Sequence, residues 1–388
     1  MSMRNLSALG STVFLLASLG VPGVAVAHDE PEAQSPEQAL HADLKSIAAT
    51  NGWTLEEAET DYLATETVGR IAGRIAREEP GRYVGSAVGP GPDSVPRLYL
   101  KGKASAFAMA LVDEAGIPIK IIDEQPYSFD ELEVRVLRVQ QALLKSDLAD
   151  ASVAVDIAGA GQIPVRIRQA ETARSEASIS SFIPADLRDD VVITMDTKGS
   201  WEPDHAGGGM KTSTTPAQYF CTSGWSVTGP GYNGIVQAAH CDDAIDLIHN
   251  THSMTLQDEH YGAYGDVEIF STATTDEPYF YASSTEWREV LGMKPREDLT
   301  VGENICAYGV GSNSRNCSQL KYVSTTCGVL SRMVEMEDDI MTGGDSGGPW
   351  FKGDRAVGIH HGPCGDGDLF SVASLLPEAL DADVKIGE

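Results

Sequence analysis

GGDSGGPW, from Gly343 to Trp350, places Ser346 between an acidic residue and paired glycines. A serine hydroxyl is a poor nucleophile at neutral pH, so such a loop supports nucleophilic chemistry only where a histidine and a carboxylate activate the hydroxyl. The stretch therefore predicts that a histidine and an acidic residue from elsewhere in the chain lie beside Ser346.

Two earlier strings supply these partners. QAAHC, residues 237–241, ends an apolar run with His240 beside a cysteine, and YGDVEIF, residues 264–270, places Asp266 at the start of an alternating, strand-like run. Asp266 follows His240 by 26 residues and precedes Ser346 by 80. It alone leads such a strand among the neighbouring acidic residues Asp242, Asp243, Asp246, Asp258 and Asp276. His240, Asp266 and Ser346 are therefore the candidate catalytic residues.

Composition and charge exclude one class of partner. The chain has 388 residues, 42% of them apolar, and a formal net charge of -29. Residues 201–388 carry 28 Asp and Glu against 10 Lys and Arg, a net of -18, which leaves -11 for the first 200 residues. A protein that binds nucleic acid needs a basic patch to displace counterions from phosphates. We therefore expect no nucleic acid partner and interpret the charge as the solvated surface of a secreted protein.

The first 27 residues have the pattern of a secretory signal. Arg4 supplies a positive n-region, residues 13–19 lie in an apolar h-region, and residues 25–27 form an A-x-A cleavage site. Pro22 interrupts the apolar run, which is of marginal length for a membrane anchor. The sequence predicts a secreted protein, extracellular or periplasmic, with no membrane association after the signal is cleaved.

The cysteines predict disulfide bonds rather than a metal site. All six lie after residue 220, and no C-x-x-C pair is present. His249, His252 and His260 lack the H-E-x-x-H spacing of a zinc protease. In an exported protein we expect three disulfides and no metal or cofactor, with the bonds made by Cys221, Cys241, Cys306, Cys317, Cys327 and Cys364.

The chain is predicted to contain two architectures. Residues 28–200, here called the N-terminal segment, have no cysteine and read as a smaller α+β domain. Residues 201–388, the C-terminal segment, show short β-rich runs between glycine turns and a closing helix at Leu375–Leu380. A Ser/Asp-rich and then Gly-rich linker is expected within residues 170–210. The segment with the candidate catalytic residues is therefore expected to be an all-β barrel or sandwich.

Individual elements of each segment can also be predicted. In the N-terminal segment we expect helices at 36–50, 54–78 and 129–145, the second opened by a T-x-x-E capping box, and strands at 97–101, 117–122 and 163–167. In the C-terminal segment the expected strands include 224–228, 234–238, 266–270 and 355–359.

Five strings in one order carry a resemblance to a known family. CTSGWSV, QAAHC, YGDVEIF, GGDSGGPW and AVGIHHG resemble the trypsin-like serine proteases, especially the secreted bacterial branch of alpha-lytic protease and the streptogrisins. The resemblance covers about residues 205–385. It implies two six-stranded antiparallel β-barrels with a C-terminal helix and an active site in the cleft between the barrels.

The resemblance also implies the roles of single residues. Ser346 would attack the peptide carbonyl, His240 would accept and return the proton, and Asp266 would hold the imidazole. The backbone N–H groups of Gly344 and Ser346 would form the oxyanion hole. The chain is accordingly expected to be a serine endopeptidase that acts on proteins or peptides. The alternative is a peptide-binding pseudoprotease whose N-terminal domain is a permanent binding module.

Relatives of this branch are made as inactive precursors. By position and size, the N-terminal segment resembles their propeptide, which assists folding and then inhibits until it is cleaved. The protease domain itself would span residues 201–388.

The resemblance implies a disulfide pattern, with departures. It pairs Cys221 with Cys241 and Cys306 with Cys327, which leaves Cys317 for Cys364. The half-cystine that usually lies four residues before the nucleophile is replaced by Thr342.

The residue before the nucleophile also departs from the family pattern. Bacterial relatives pair the carboxylate at the position of Asp345 with an arginine after the first cysteine of the second barrel, but Cys306 is followed by Ala307. Arg315, Lys321 or the N-terminus created by cleavage are the candidate partners of Asp345.

Three interpretations of the specificity pocket remain open. Ile340 stands where trypsin has an aspartate, so the usual recognition of Arg or Lys is missing. His360 lies where glutamyl endopeptidases use a histidine to receive an acidic side chain, whereas Asp368 could receive a basic one. In the third interpretation His360 and Asp368 neutralise each other and leave a polar or apolar pocket lined by Ile340 and Met341.

Overall fold

The computed structural model describes residues 33–146, 148, 151–168, 175–196, 211–213, 220–241, 254–272 and 277–387. The predicted signal peptide, much of the predicted linker, and His249 and His252 lie outside the described residues. The described chain is mostly β-structure with six α-helices, which are α1 Pro36–Asn51, α2 Leu55–Glu78, α3 Ala106–Asp113, α4 Phe129–Leu144, α5 Glu176–Ser180 and α6 Leu376–Leu380.

Capping boxes determine where the long helices begin. Ser35, Thr54 and Ser128 each accept the N–H of the third helical residue, while the Gln or Glu side chain at that position accepts the N–H of the cap. These bonds satisfy backbone donors that would otherwise have no partner at a helix start. The predictions of α1, α2 and α4 are confirmed, as is the short C-terminal helix α6.

Two three-stranded sheets accompany these helices in the N-terminal segment. One sheet has the order β1-β2-β3 and the other the order β4-β5-β6. The prediction of a strand at 117–122 is shifted, because the observed strand starts after Pro118, which has no N–H to donate. The strands are β1 Tyr83–Ala87, β2 Arg97–Lys101, β3 Lys120–Gln125, β4 Ala151–Val153, β5 Ile163–Arg168 and β6 Val191–Asp196.

The C-terminal segment contains sixteen described strands. They are β7 Lys211–Ser213, β8 Phe220–Thr222, β9 Ser226–Gly229, β10 Tyr232–Gln237, β11 Met254–Gly262, β12 Gly265–Thr272, β13 Tyr279–Ser283, β14 Glu286–Glu289, β15 Gly292–Met293, β16 Asn304–Gly309, β17 Ser314–Cys327, β18 Leu330–Met336, β19 Pro349–Lys352, β20 Arg355–Pro363, β21 Asp368–Val372 and β22 Asp383–Val384. Each strand predicted for this segment overlaps one of them.

The strands of the C-terminal segment form two large sheets, and neither of them has six strands. One has five strands in the order β11-β12-β10-β9-β22, and the other has seven in the order β15-β20-β19-β16-β17-β18-β21, with β21 also paired to β20. The expectation of two six-stranded barrels is therefore not confirmed. The seven-stranded sheet includes β15, which pairs in parallel with β20 at its edge. Neither large sheet includes β13 or β14, which pair only with each other among the described strands.

The hydrophobic core joins the two segments of the chain. One cluster contains Val136 of α4 and Val165 of β5 together with Trp350 of β19, and a second contains Leu44 of α1 together with Trp225. Residues 32–388 group as one compact unit. The N-terminal segment thus buries apolar side chains directly against the sheets that carry the candidate site.

The described structure contains three disulfides, and two of their pairings differ from expectation. The bond between Cys221 and Cys241 is confirmed. The expected pairs Cys306–Cys327 and Cys317–Cys364 are wrong, because the structure joins Cys306 to Cys317 and Cys327 to Cys364. The antiparallel register of β16 and β17 places Cys306 directly opposite Cys317, with 4.0 Å between the Cα atoms. The disulfide pattern set by strand pairing therefore differs from the pattern that the resemblance implied.

No helix within the described ranges is long and apolar enough to cross a membrane.

Candidate active site

Ser346 lies in the loop between β18 and β19 and is fully buried. Glycines allow the backbone to turn tightly on both sides of it. Gly344 has a φ of 120°, and Gly347 has a φ of 85°, where a Cβ atom would lie 2.1 Å from the carbonyl oxygen of Thr222. These conformations are rare for residues with side chains. The glycines flanking Ser346 are thus required by the geometry of the loop.

His240 lies in a 3-10 turn, Ala239–Cys241, that directly follows β10. Ile235 and Val236 of β10 are buried, and the Cys221–Cys241 disulfide ties the turn to β8. The imidazole Nε2 lies 2.9 Å from the hydroxyl Oγ of Ser346. This is the distance of a hydrogen bond between a nucleophile and its base.

Asp266 lies on the opposite side of the same imidazole. Its carboxylate Oδ2 accepts a short hydrogen bond from Nδ1 of His240, and Oδ1 accepts the backbone N–H of His240 at 2.9 Å. Burial opposes ionisation of this carboxyl, but the charge and hydrogen bonds of His240 and His361 hold its pKa well below the usual range. The three residues predicted from the sequence therefore lie together, with Asp266 as a carboxylate.

His361 is a fourth member of this cluster that the sequence reasoning missed. Its Nδ1 lies 2.6 Å from Oδ2 of Asp266, and its ring packs edge-to-face on that of His240 with 5.2 Å between centroids. Burial lowers the pKa of His361, although the hydrogen bond and the charge of Asp266 act in the opposite direction. The sequence contains a signal for this residue, because successive side chains of a strand point to opposite faces. His360 and His361 must therefore face opposite sides of β20, and only one of them can face the predicted pocket.

The His240, Asp266 and His361 ligand atoms lie within 4.8 Å of one another, the one such group in the part of the chain that the structure describes. Both histidine Nδ1 atoms are hydrogen-bonded to the Asp266 carboxylate. A cation at this position would have to replace both of those protons.

Asp345 takes backbone partners instead of the cations expected from the sequence. It is fully buried, and its two oxygens accept the N–H groups of Ser312 and Thr342, each at 3.0 Å. Arg315 pairs instead with Asp43 and Glu286, and Lys321 pairs with Glu335. The proposals that Arg315 or Lys321 pairs with Asp345 are therefore wrong.

The residues predicted for the specificity pocket also lie near one another. The Asp368 oxygen Oδ2 accepts the N–H of Ile340 at 2.8 Å and that of Met341 at 3.0 Å. Burial raises the pKa of Asp368 to about 6, although the nearby charge of His360 and these two N–H groups act in the other direction. His360 is fully buried, and its Nδ1 accepts the Trp350 indole N–H at 3.2 Å. Asp368 therefore holds the backbone of the predicted pocket wall.

Comparison with known proteins gives matches among solved structures alone. No protein-family model matches the chain, and no curated protein matches it. One match is Thermobifida fusca protease A, at 21% identity and a TM-score of 0.39, covering 46% of this chain and 98% of that one. A glutamic acid specific serine protease, described as using a histidine triad in substrate binding, matches at 18% identity and a TM-score of 0.39, covering 46% and 99%.

Cellulomonas bogoriensis chymotrypsin matches at 20% identity and a TM-score of 0.38, covering 47% of this chain and 98% of that one. The matching structures are chymotrypsin-fold serine proteases, and the similarity extends over about 46% of the chain.

Proposed function

We propose that this protein is a serine endopeptidase that hydrolyses peptide bonds through His240, Asp266 and Ser346. The observation that carries the proposal is the continuous chain of hydrogen bonds from Ser346 Oγ through His240, with 2.9 Å to Nε2, to the buried carboxylate of Asp266. In this arrangement a base removes the hydroxyl proton while a third group fixes the tautomer of the base.

The reaction follows from the positions of the protons. Ser346 Oγ bonds to the peptide carbonyl carbon as its proton moves to His240 Nε2, and the carbonyl oxygen becomes an oxyanion. When the C–N bond breaks, His240 returns the proton to the leaving amine, and an acyl-enzyme ester remains. Water then repeats both steps on the ester, with His240 again as base and acid. Asp266 stabilises the imidazolium in each half of the reaction.

The N–H groups of Gly344 and Ser346 are proposed to bind the oxyanion. The φ of 120° at Gly344 supports this role, because a glycine there permits backbone orientations that other residues rarely adopt. Two such donors stabilise charge that develops in the transition state, and each contributes on the order of 3 kcal/mol.

We propose that the specificity pocket accepts uncharged side chains, the third interpretation given above. Asp368 uses one carboxylate oxygen on the N–H groups of Ile340 and Met341, and it lies close enough to His360 for that charge to affect its pKa. Because His360 and Asp368 are both buried and each accepts a hydrogen bond inside the protein, the wall around Ile340 and Met341 is left to contact the substrate. Mapping of cleavage sites in a peptide library tests this, since cuts after Glu or after Arg and Lys would contradict it.

The N-terminal segment is proposed to be a pro-region that is removed after secretion. An extensive set of ion pairs between the N-terminal and C-terminal segments supports this proposal. Seven of the ten Lys and Arg residues of the C-terminal segment pair with three carboxylates of the N-terminal segment: Asp43 with Arg288 and Arg315, Glu66 with Lys294, Lys352 and Arg355, and Glu133 with Arg296 and Arg332. The three disulfides are consistent with an extracellular protein.

Detection of a mature N-terminus near residues 195–210 would support removal of the pro-region. A secreted chain that stays intact and is fully active would instead indicate a permanent binding domain.

The proposed activity is tested with S346A. This variant should lose turnover of a peptide substrate by on the order of a millionfold, because the three residues act as a unit. It should also lose covalent labelling by a fluorophosphonate probe. Hydrolysis that is unchanged in S346A would contradict the proposal. Peptide binding by the wild type without hydrolysis would indicate the pseudoprotease alternative.

A further inference from the structure

The turn that precedes Asp266 is exposed. β11 and β12 pair as far as Gly262 and Gly265, so Ala263 and Tyr264 form the connection, and Ala263 is exposed to solvent. Asp266 is the second residue of β12 and is fully buried. Short exposed turns have few contacts and open more easily than the sheets they connect. The contacts of this turn are therefore one constraint on the position of Asp266, alongside the Ser371 hydroxyl, which accepts the N–H of Asp266 at 2.9 Å.

Arg332 and its neighbour hold the turn from the side of β18. The Arg332 guanidinium donates from Nη1 to the carbonyl oxygen of Ala263 at 3.0 Å and lies over the ring of Tyr264, with 4.9 Å from Cζ to the centroid. The Ser331 hydroxyl donates to the same carbonyl at 3.2 Å. One side chain thus contacts both residues of the turn.

The backbone of Arg332 is itself unusual. It has a φ of 59°, in the left-handed region, although it lies within strand β18. Residues with side chains adopt this conformation uncommonly, and such positions persist where the surrounding contacts hold them. The conformation brings the long side chain of Arg332 to the turn.

The same guanidinium also contacts the N-terminal segment. Arg332 Nε donates to Glu133 Oε2 of α4 at 3.1 Å, and both side chains are largely buried, with 22% and 11% exposed. The other oxygen of Glu133 accepts from Arg296 and from the Ser324 hydroxyl. Arginine has five donors in a rigid plane, so Nε can bind the carboxylate while Nη1 binds the turn, whereas a lysine has all its donors on one nitrogen.

We propose that Arg332 is a positioning residue for Asp266 and that Glu133 of the N-terminal segment fixes Arg332 in place. The inference rests on the proposed function, since it concerns the geometry of the His240–Asp266 pair. Contacts run without a gap from Glu133 to Arg332, then to Ala263 and Tyr264, and along the backbone to Asp266. Loss of the N-terminal segment would leave Arg332 bound to the turn but without its carboxylate.

The test uses the full chain with S346A, so that the chain does not cleave itself. The proton between His240 Nδ1 and Asp266 is observed as a downfield resonance in the proton NMR spectrum. R332G removes the side chain and retains a residue suited to a φ of 59°, so it separates the side chain from the backbone. R296A is the matched control, because Arg296 binds the same carboxylate of Glu133 but lies over the ring of Phe129 rather than over the turn.

R332G should shift or broaden the downfield resonance, R332K should give a smaller change, and R296A should leave it in place. E133Q should change it less than R332G does. An unchanged resonance in R332G and R332K overturns the proposal, as does an equal change in R296A. A parent chain without the resonance overturns it too, since Asp266 would then not be held on His240.

A kinetic measurement on the processed protein with Ser346 intact provides the second readout. R332G should lower kcat by about tenfold with little change in KM, because displaced catalytic groups lose rate rather than substrate affinity. Equal kcat values in R332G and R296A would contradict the proposal. If the wild type hydrolyses no peptide, the proposed function fails, and the NMR result still decides whether Arg332 positions Asp266.

Discussion

Asp266 and His361 are joined by a hydrogen bond of 2.6 Å between carboxylate Oδ2 and imidazole Nδ1, and both side chains are buried. The same oxygen also accepts the hydrogen bond of His240 Nδ1. Two imidazoles thus converge on one carboxylate oxygen, and a buried carboxylate requires such donors to remain ionised. His361 therefore restricts the orientation of the Asp266 carboxylate.

Removing the His361 imidazole should reduce activity without abolishing it. We expect H361A to lower kcat/KM by about 10- to 100-fold, because a hydrogen bond to a charged group contributes about 1.5–3 kcal/mol. The measurement is steady-state hydrolysis of a peptide substrate. E378Q is the control, since Glu378 is an exposed residue on α6 of the same segment. Equal kcat/KM in H361A and the wild type would show that the bond to Asp266 has no catalytic consequence.

Asp368 should produce a pH-dependent difference in stability. Burial raises the pKa of Asp368 from an ordinary value of 3.8 to about 6, so the folded state binds this proton more tightly than the unfolded state does. The wild type therefore loses stability as the pH rises through 6 and Asp368 ionises. D368N cannot ionise, so its free energy of unfolding relative to wild type should rise by about 1–3 kcal/mol between pH 4 and pH 8. Urea unfolding of both chains in the S346A background measures this difference. D366N, at an exposed neighbour, should show none.

The Asp43–Arg288 pair between α1 and β14 should be essential for the stability of the full chain. Arg288 Nη2 and Nη1 donate to the two Asp43 oxygens at 2.8 and 3.0 Å, and Arg288 is fully buried. D43A leaves this charge without its carboxylate, which costs about 3–5 kcal/mol. In urea unfolding, the double variant D43L/R288M should recover much of the loss. A D43A chain as stable as the parent would contradict this assignment.

The disulfides should differ in their contribution to stability. The Cys327–Cys364 bond spans 37 residues and the Cys306–Cys317 bond spans 11. In a chain-entropy model the longer loop contributes about 1 kcal/mol more, so C327A/C364A should be destabilised more than C306A/C317A. Peptide mapping without reduction should recover Cys306 linked to Cys317. A fragment that links Cys306 to Cys327 would contradict the described pairing.

Local sequence patterns predicted the elements that depend on neighbouring residues. Helices α1, α2 and α4 start where a cap residue and a Gln or Glu three positions later satisfy each other's backbone donors. Strand β10 forms where the sequence has an apolar run. The candidate residues His240, Asp266 and Ser346 were predicted because motif and order are properties of the chain itself.

Contacts between distant residues could not be predicted in this way. The bond between Cys306 and Cys317 depends on the register of β16 against β17, which a local pattern does not contain. Asp345 takes N–H groups of two separate loops in place of the expected cation. His361 on β20 reaches Asp266 on β12 although the two strands belong to different sheets.

The amino-acid sequence therefore determined the residue types of the candidate site and the starts of the long helices, and its cysteines predicted three disulfides. Tertiary structure alone decided which donors surround Asp266, which cysteines pair and how Glu133 reaches the turn through Arg332. The physical reason is that helix caps and strand alternation involve residues a few positions apart. Buried charges, in contrast, take whichever partners the packed strands and helices bring within hydrogen-bonding distance.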